Sequence, residues 1–511
     1  MEKYTAINLG PIIKTFSMAR KPKEFWAASY MFSYLMECIL AHLQKEKDSL
    51  ELISPAYEKE NKERKGNEEN PLVGVGLYPD RAFYVVKQEI DINSLLEDAL
   101  KSFAKDIVLD VDVARNFFRI MTVCQEYPSP SEAIAGLNEA LDILELNQVA
   151  WDSDTFDAIL KYLRKANTNL PLYKIAFNKD YYSIGTLEEI ARANAKQIDY
   201  SYQRYVCIVQ ADGDCMGKIV SSKQMDGKLN DFSSRLITFG NDTCQRINAF
   251  GGLPIYAGGD DLLFIAPVCG TDGKNILGLI GEIDEKYQKI RDYVDQLKVE
   301  DKIDEGGKTK TVPVHTSMSY GISIIYCKYP LYEAWEIARN MLVSKAKQVP
   351  GKNAIAINLR KNSGSDFEVV MSKSLQIHYN LDNLIRFTPK ESFVSAVAHK
   401  IRANEQLLGV LPKEEPFENL DERLNAFYEK IVDVAAKSAD ETTYLLKTKD
   451  TFEFIYKDYF IEKKRKAEEA KENKKEYREA TIEEDMKSII STFFSVLRIA
   501  KFIKGEEVKD E

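Results

Sequence analysis

The alternation of apolar and polar positions sets out two similar successions of strand and helix, with helical stretches between and after them. Residues 4 to 13 open with an apolar run, Tyr4-Thr-Ala-Ile-Asn-Leu-Gly-Pro-Ile-Ile, which predicts a strand. Phe16 to Leu43 then carries apolar residues at helical spacing, with Phe25, Trp26, Ser29, Tyr30, Phe32, Ser33 and Leu35 in one dense stripe. Aromatics in such a stripe are read first as core against a sheet. Glu58 to Asn70 is charged and poor in apolar residues, the pattern of an exposed loop. Leu72 to Tyr78 and Ala82 to Val86 flank Pro79-Asp80 as a hairpin. Residues from about 91 to 200 read as helical: Ser131 to Leu146 with Ser129 or Ser131 as cap, Asp154 to Lys165, and Thr186 to Gln197, where Thr186 and Glu189 make a capping box.

The second succession is the more informative. Tyr205-Val-Cys-Ile-Val-Gln-Ala-Asp212-Gly-Asp214 is an apolar run ending in acids. Phe232 to Phe250 follows as a helix through Leu236, Phe239, Cys244, Ile247 and Phe250. Residues 253 to 268 then place Gly258-Gly259-Asp260-Asp261 between two short apolar runs, a β-hairpin whose tight turn uses glycine to reach positive φ. Adjacent carboxylates at a turn repel each other unless a cation lies between them. The bland reading is a common exposed turn. Strand-terminal Asp212 ahead of the hairpin favours instead the order of a ferredoxin-like palm, in which a central strand and a hairpin present acids to two metal ions.

Ser317 to Tyr326 continues as a strand containing Gly321, a residue that marks close approach of another backbone or a ligand. Leu331 to Gln348 reads as one helix with Leu331, Trp335, Ala338 and Leu342 on its buried face, stopped by Pro350-Gly351 before a strand at Asn353 to Leu359. Lys345 and Lys347 near its end are an ordinary solubility feature, or, beside carboxylates and metal, the place where triphosphate charge is met. From about 365 the chain is helical again. Glu462 to Glu479 reads as a solvated face, and Ile482 to Ile503 as a strongly amphipathic helix. The fold class is therefore α+β: a first palm at 1–90 without a metal site, a helical bridge at 91–200, a second palm at 201–362, and a C-terminal helical bundle at 363–511.

Composition narrows the function. The chain has 511 residues, 44% hydrophobic and 29% charged, with no run near the ~18 apolar residues of a membrane span and no signal-like leader, so a cytoplasmic, non-membrane protein is expected. Seven scattered cysteines contain no C-x-x-C pair, which disfavours disulfides and a zinc ribbon. None of the four histidines precedes Asp or has ligand spacing to another, so histidine-based hydrolysis is disfavoured. A formal charge of −10 argues against gripping naked nucleic acid over the whole surface, while permitting a local basic groove or contact through partner subunits.

Five blocks in order resemble the large polymerase/cyclase-like subunit of type III CRISPR effector complexes, of the Cmr kind. They are Ala6 to Ile12 with Ala19-Arg-Lys and Phe25-Trp-Ala-Ala-Ser29-Tyr; Gly185 to Ala191; Asp212-Gly-Asp214-Cys-Met-Gly217; Gly258 to Asp261; and Gly321-Ile-Ser-Ile with Ala346-Lys347 and Gly351-Lys-Asn353. The sequence departs from the family in lacking a His-Asp pair of the nuclease domain that many members carry, so DNase activity is expected to be absent, and in lacking the zinc-ribbon cysteines. The resemblance implies an RNA-activated nucleotidyltransferase. Asp212, Asp260 and Asp261 would be catalytic and, with Gly213, would hold Mg2+ or Mn2+. ATP would lie on Gly213, Asp214, Cys215, Met216 and Gly217 as a phosphate nest, on Gly258 and Gly259, and on Lys347 with Lys345 in reserve. Partners would be the other Cmr-type subunits, guide RNA and target RNA. The product would be cyclic oligoadenylate, or AMP joined to an acceptor such as S-adenosylmethionine; Trp26 and Ser29 are the first-palm residues suspected of shaping the acceptor pocket, against a reading as core. Two other classes stay open from the residues: a Gly-Gly-Asp-Glu-Phe-type cyclase making cyclic diguanylate, in which Asp261 replaces Glu, and an inactive scaffold.

Overall fold

A computed structural model describes residues 1–57, 74–146, 151–165, 170–177, 184–195, 199–305, 308–389, 391–409, 420–432, 438–472, 478 and 480–505. The charged segment from Glu58 to Asn70 lies outside them. Two sheets carry the architecture. The first contains β1 (Glu2–Gly10), β2 (Leu50–Ser54), β3 (Arg81–Val86) and β4 (Arg119–Tyr127) in the order β2-β3-β1-β4. The second contains β5 (Tyr205–Gly213), β6 (Leu253–Gly258) and β7 (Asp261–Pro267). After a separate hairpin of β8 (Glu300–Glu305) and β9 (Lys308–Pro313), it adds β10 (Met318–Tyr326), β11 (Ala354–Arg360) and β12 (Asp366–Ser372), ordered β12-β11-β10-β5-β7-β6.

Both sheets follow the same rule. Each has two βαβ halves whose strands interleave, so the first strand of each unit lies centrally and the two middle strands form one side, the ferredoxin-like arrangement. In the second palm, helix Leu229–Phe250 joins β5 to β6 and helix Ile276–Leu297 joins β7 toward β10. In the first, helix Pro22–Leu43 joins β1 to β2 and helix Ile92–Asp106 joins β3 toward β4. β5 is central because it is apolar on both faces: Val206, Cys207, Ile208 and Val209 are all fully buried, as expected for a strand covered on both sides.

Four sequence expectations are corrected. The chain from about 365 is not wholly helical, since β12 pairs with β11 and extends the sheet of the second palm. Residues 91–200 are not wholly helical: β4 lies there, pairs with β1 from Glu2↔Tyr127 to Gly10↔Arg119, and completes the first palm. Its residues are mostly half-exposed, so they carry little apolar pattern. Of the stretch from Leu72 to Tyr78, the described residues Gly74 to Tyr78 do not pair with Ala82 to Val86. The partners of β3 are β2 and β1, whereas Gly76 makes a parallel bridge to Tyr256 of the other palm, with Ala257 N–H donating to the Gly76 carbonyl at 3.2 Å. Leu331 to Gln348 is not one regular helix either. An α-helix at Leu331–Asn340 gives way to a π-turn at Met341–Lys345 and a 3-10 turn at Ala346–Gln348.

Gly321 supplies the reason for close packing there. A Cβ at this glycine would lie 2.2 Å from the Ala338 carbonyl oxygen and 2.3 Å from Leu342 N, both backbone atoms that cannot step aside. Gly321→Ala is therefore expected to cost about 3 kcal/mol of stability, measured by denaturant unfolding; a loss within about 0.5 kcal/mol would refute the close approach.

The palms are packed on each other. Helix Pro22–Leu43 is buried along most of its circumference because it lies between its own sheet and β6. Trp335 of the second palm stacks edge-on to Phe16 and Phe25 at 5.3 and 5.8 Å. Ser129 caps helix Pro130–Glu145 as expected, and Asp226 Oδ1 accepts from Ser131 N at 2.9 Å, tying that helix to the second palm. The capping box of Thr186 and Glu189 is also present, on a shorter helix, Leu187–Ala191. Of the C-terminal helices, Ile482–Lys504 docks on the second palm, with Phe502 against Tyr205 at 4.8 Å, and Ala439–Glu472 packs on Ile482–Lys504. Among the described residues no helix is long and apolar enough to cross a membrane.

Candidate active site

The site forms where β5 ends beside the β6–β7 turn. β5 and β7 are neighbours, Ala211 facing Leu262, so the end of one delivers Asp212 next to the turn residue Asp260. Gly259 at φ +67° makes the reversal. Gly213 permits the approach: a Cβ there would lie 2.8 Å from both Cβ and Oδ2 of Asp260. Asp260 is pushed up to about 8, first by burial and then by the charge of the neighbouring Asp212 carboxylate. Asp261 is also raised, by its surroundings and by the charges of Asp260, Asp212 and Asp80. Its side chain is nonetheless open to a cavity, so water screens it more than it screens Asp260.

That cavity, about 730 Å³, lies between the palms. Leu9, Ser29 and Asp80 line it from the first palm, and Asp261, Trp335 and Arg339 from the second. Asp80 is a site residue that the sequence reading treated only as part of a turn. Burial lifts its carboxyl, with Glu145 adding to the rise and Arg81 opposing it. Its distance along the chain from Asp261 hides the relation, and no local signal in the sequence marks it. The two suspected acceptor-side residues separate. Ser29 faces the cavity with its Oγ unpartnered among the described residues. Trp26 is core: it stacks on Tyr30, Tyr173 and Phe177 at 5.1 to 5.4 Å and donates from Nε1 to the Gly74 carbonyl at 2.6 Å.

Other expected residues take different places. Asp214 is turned into the protein. Its backbone N–H donates to the Ser317 carbonyl at 2.7 Å. Its carboxylate, 1% exposed, accepts from Ser317 Oγ at 2.5 Å, Ser319 Oγ at 2.9 Å, Asn353 N at 3.0 Å and Lys347 Nζ at 2.9 Å. It is a structural anchor, and the proposed nest loses one of its donors. Cys215 adopts the left-handed region at φ +64°, Met216 packs its sulfur 3.8 Å from the Tyr287 hydroxyl, and a side chain at Gly217 would meet open space. Gly258 is required locally, since a Cβ there would lie 2.3 Å from the Tyr256 hydroxyl. Lys345 lies 3.7 Å from Glu368 on β12, whereas Lys347 reaches the aspartates.

A divalent cation fits this donor set. Two carboxylates gathered at a strand end and the neighbouring turn, with a third beside them on the cavity side, are the oxygen ligands that Mg2+ or Mn2+ takes while keeping several waters. Among the described residues no three His, Cys, Asp or Glu side chains already converge as a cage. Lys347 Nζ, 2.9 Å from Asp212 Oδ2 and 2.9 Å from the Gly213 carbonyl, takes up one carboxylate oxygen and the backbone oxygen expected to serve as a ligand.

Two family models match the chain: Cas10/Cmr2, second palm domain, over residues 205–356, and CRISPR-associated protein Cmr2, N-terminal, over residues 4–109. The chain belongs to the Cas10/Cmr2 family. The Cas10/Cmr2 second-palm match contains Asp212, Asp260, Asp261 and Lys347, and the Cmr2 N-terminal match stops short of β4. Among curated proteins the chain is similar to the CRISPR system Cmr subunit Cmr2 of Pyrococcus furiosus, 29% identical over 203 residues, which are 35% of this chain and 21% of that protein's length. Among solved structures it resembles a chain of the type III-B Cmr-beta assembly in the apo state, with TM-score 0.55 and 11% identity over 86% of this chain and 78% of that one. The same assembly bound to cognate target RNA gives TM-score 0.52 and 10% identity over 86% and 80%. A Csm1–Csm4 cassette in complex with cA4 gives 0.50 and 12% over 87% and 68%. At these identities the likeness is one of fold.

Proposed function

We propose that this Cas10/Cmr2 chain is the nucleotidyltransferase subunit of a cytoplasmic Cmr-type antiviral ribonucleoprotein, switched on by target RNA and making an adenylate messenger from ATP. The observation that carries the reading is the gathering of Asp212, Asp260 and Asp261 where β5 ends beside the β6–β7 turn, with Asp261 on the inter-palm cavity. A scaffold gains nothing from two carboxylates that repel at such range. Other Cmr subunits, guide RNA and target RNA are the proposed partners, in keeping with fold neighbours described as a Cmr-beta assembly bound to cognate target RNA and a Csm1–Csm4 cassette in complex with cA4.

In this mechanism Asp212, Asp260 and Asp261 would hold a divalent cation. When bound, it activates an acceptor hydroxyl and offsets charge on departing pyrophosphate. The acceptor occupies the cavity, where Ser29 and Arg339 can bond its polar groups and Trp335 its apolar face. Its hydroxyl oxygen attacks the α-phosphorus of ATP, forming one P–O bond as the bond to pyrophosphate breaks. Asp80, whose carboxyl burial raises above its ordinary value, is the acceptor-side group that would take the proton.

Mass spectrometry of products from the RNA-activated complex tests the reading, first with ATP alone and then with S-adenosylmethionine added. Oligoadenylate from ATP alone is the expected result if ATP is also the acceptor; a single AMP conjugate that requires the second substrate assigns the acceptor otherwise. Complete absence of RNA-dependent ATP turnover under both conditions would remove the enzymatic reading.

A further inference from the structure

Lys347 sits among more acceptors than it has protons to offer. Its Nζ lies 2.9 Å from Asp212 Oδ2, 2.9 Å from Asp214 Oδ1, and 2.9 Å from each of the Asp212 and Gly213 carbonyl oxygens. An ammonium carries three N–H groups, so every one is engaged inward. The side chain is 12% exposed, and one partner, Asp214, is essentially buried. Leaving this position to meet a triphosphate would strand the Asp214 carboxylate without its counter-ion, an expensive state in a low-dielectric interior.

The frame behind Lys347 is equally fixed. Asp214 is held by Ser317, Ser319 and the Asn353 N–H, which belong to the β10 side and the loop before β11. Lys347 arrives from the turn that follows the π-segment Met341–Lys345, and that segment is pressed against Gly321 of β10. π-turns of this kind recur at functional sites because one added residue re-aims the side chains that follow. The result is a continuous support: β10 and β11 hold Asp214, Asp214 holds Lys347, and Lys347 holds the end of β5. Asp212 meets the ammonium through Oδ2, which leaves Oδ1 for another partner. Carboxylate ligands are commonly oriented in this way, one oxygen on the cation and the other on a fixed donor.

We propose that Lys347 is a positioning residue: it fixes the end of β5 and holds one oxygen of the Asp212 carboxylate so that the other is presented for cation binding, and it does not contact the nucleotide phosphates. The proposal rests on Asp212 being a metal ligand. It overturns the assignment of Lys347 to the β- and γ-phosphates that its sequence position suggests.

Binding measurements on the assembled complex separate the two roles without reference to turnover. Mn2+ affinity is read by electron paramagnetic resonance of the free ion, with and without a non-hydrolysable ATP analogue; analogue affinity is read at saturating Mn2+. In K347R the planar fork cannot reproduce the four contacts, and Mn2+ affinity is expected to fall about tenfold. In K347M/D214N, which removes both members of the buried pair and leaves no unpaired charge, the same fall of about tenfold or more is expected. In both, analogue affinity at saturating Mn2+ should stay within about twofold. Ser319→Ala, one bond further back, keeps Lys347 and should weaken Mn2+ binding by a smaller factor, which supplies the test if the other variants fail to assemble. Loss of analogue affinity with Mn2+ binding unchanged would make Lys347 a phosphate contact. No change in either quantity would leave it without a role at the site, and would overturn the proposal as well. If the wild-type complex binds no Mn2+ even with the analogue, the reading of Asp212 as a ligand falls first and this proposal with it.

Discussion

A complex carrying Asp260→Ala and Asp261→Ala is expected to lose product formation from ATP by about 10³-fold or more while binding target RNA as before. Asp260 is the carboxylate beside Asp212, and Asp261 is the carboxylate facing the inter-palm cavity. Removing both leaves Asp212 alone, already engaged by Lys347. One carboxylate bonded to an ammonium is a poor ligand for a cation that must compete with water. The substitution also relieves repulsion, so the variant should assemble normally. Its effect therefore reads out chemistry and not folding. Rates from purified wild-type and variant complexes, compared by chromatographic quantification of product alongside a target-RNA binding isotherm, check the result. Retained turnover would move the reaction centre away from the β5 end and the β6–β7 turn.

The second large effect is on stability in the absence of divalent cations. Asp260 sits at about 8 in the folded chain against an ordinary value of 3.8, so between those values the folded state binds a proton that the unfolded state has released. Stability must then fall as pH rises through that interval: its contribution is fully present below about 4 and is lost by about 8. In a chelating buffer the melting midpoint of the wild type should drop by a few degrees between pH 5 and pH 8.5 more than that of Asp260→Asn, which cannot ionise. Mg2+ or Mn2+ added at pH 8.5 should recover the wild type selectively, because a cation favours the ionised pair. Parallel pH profiles for the two proteins, with equal response to the cation, would contradict the close Asp212–Asp260 pairing.

The same contrast between local and distant interactions divides what could be read from residues. The second palm was legible because β5, β6, β7, β10 and β11 are apolar runs covered on both faces, and their burial leaves a pattern in the chain itself. The Gly-Gly-Asp-Asp turn was legible because tight reversal demands positive φ at Gly259. The first palm was only half legible: β2 and β4 lie at the two margins of its sheet, where half-exposed positions blur the alternation. The apolar stretch ending at Tyr78 misled for a related reason, since Gly76 pairs with Tyr256, a partner that no neighbouring residue announces.

By itself the sequence determined the ferredoxin-like order of elements in the second palm, the capped helices, and the presence of acids at a strand end and at a turn. These depend on periodicity, capping and backbone geometry, which act over a few residues. Tertiary structure alone decided that Asp214 is an anchor, that Lys347 faces inward, that Ser29 but not Trp26 lines the cavity, and that Asp80 joins Asp261 across the palms. Each of those outcomes depends on which charges and donors packing brings within about 3 Å, where pairing outweighs the cost of desolvation, and the local pattern of a chain does not encode such distances.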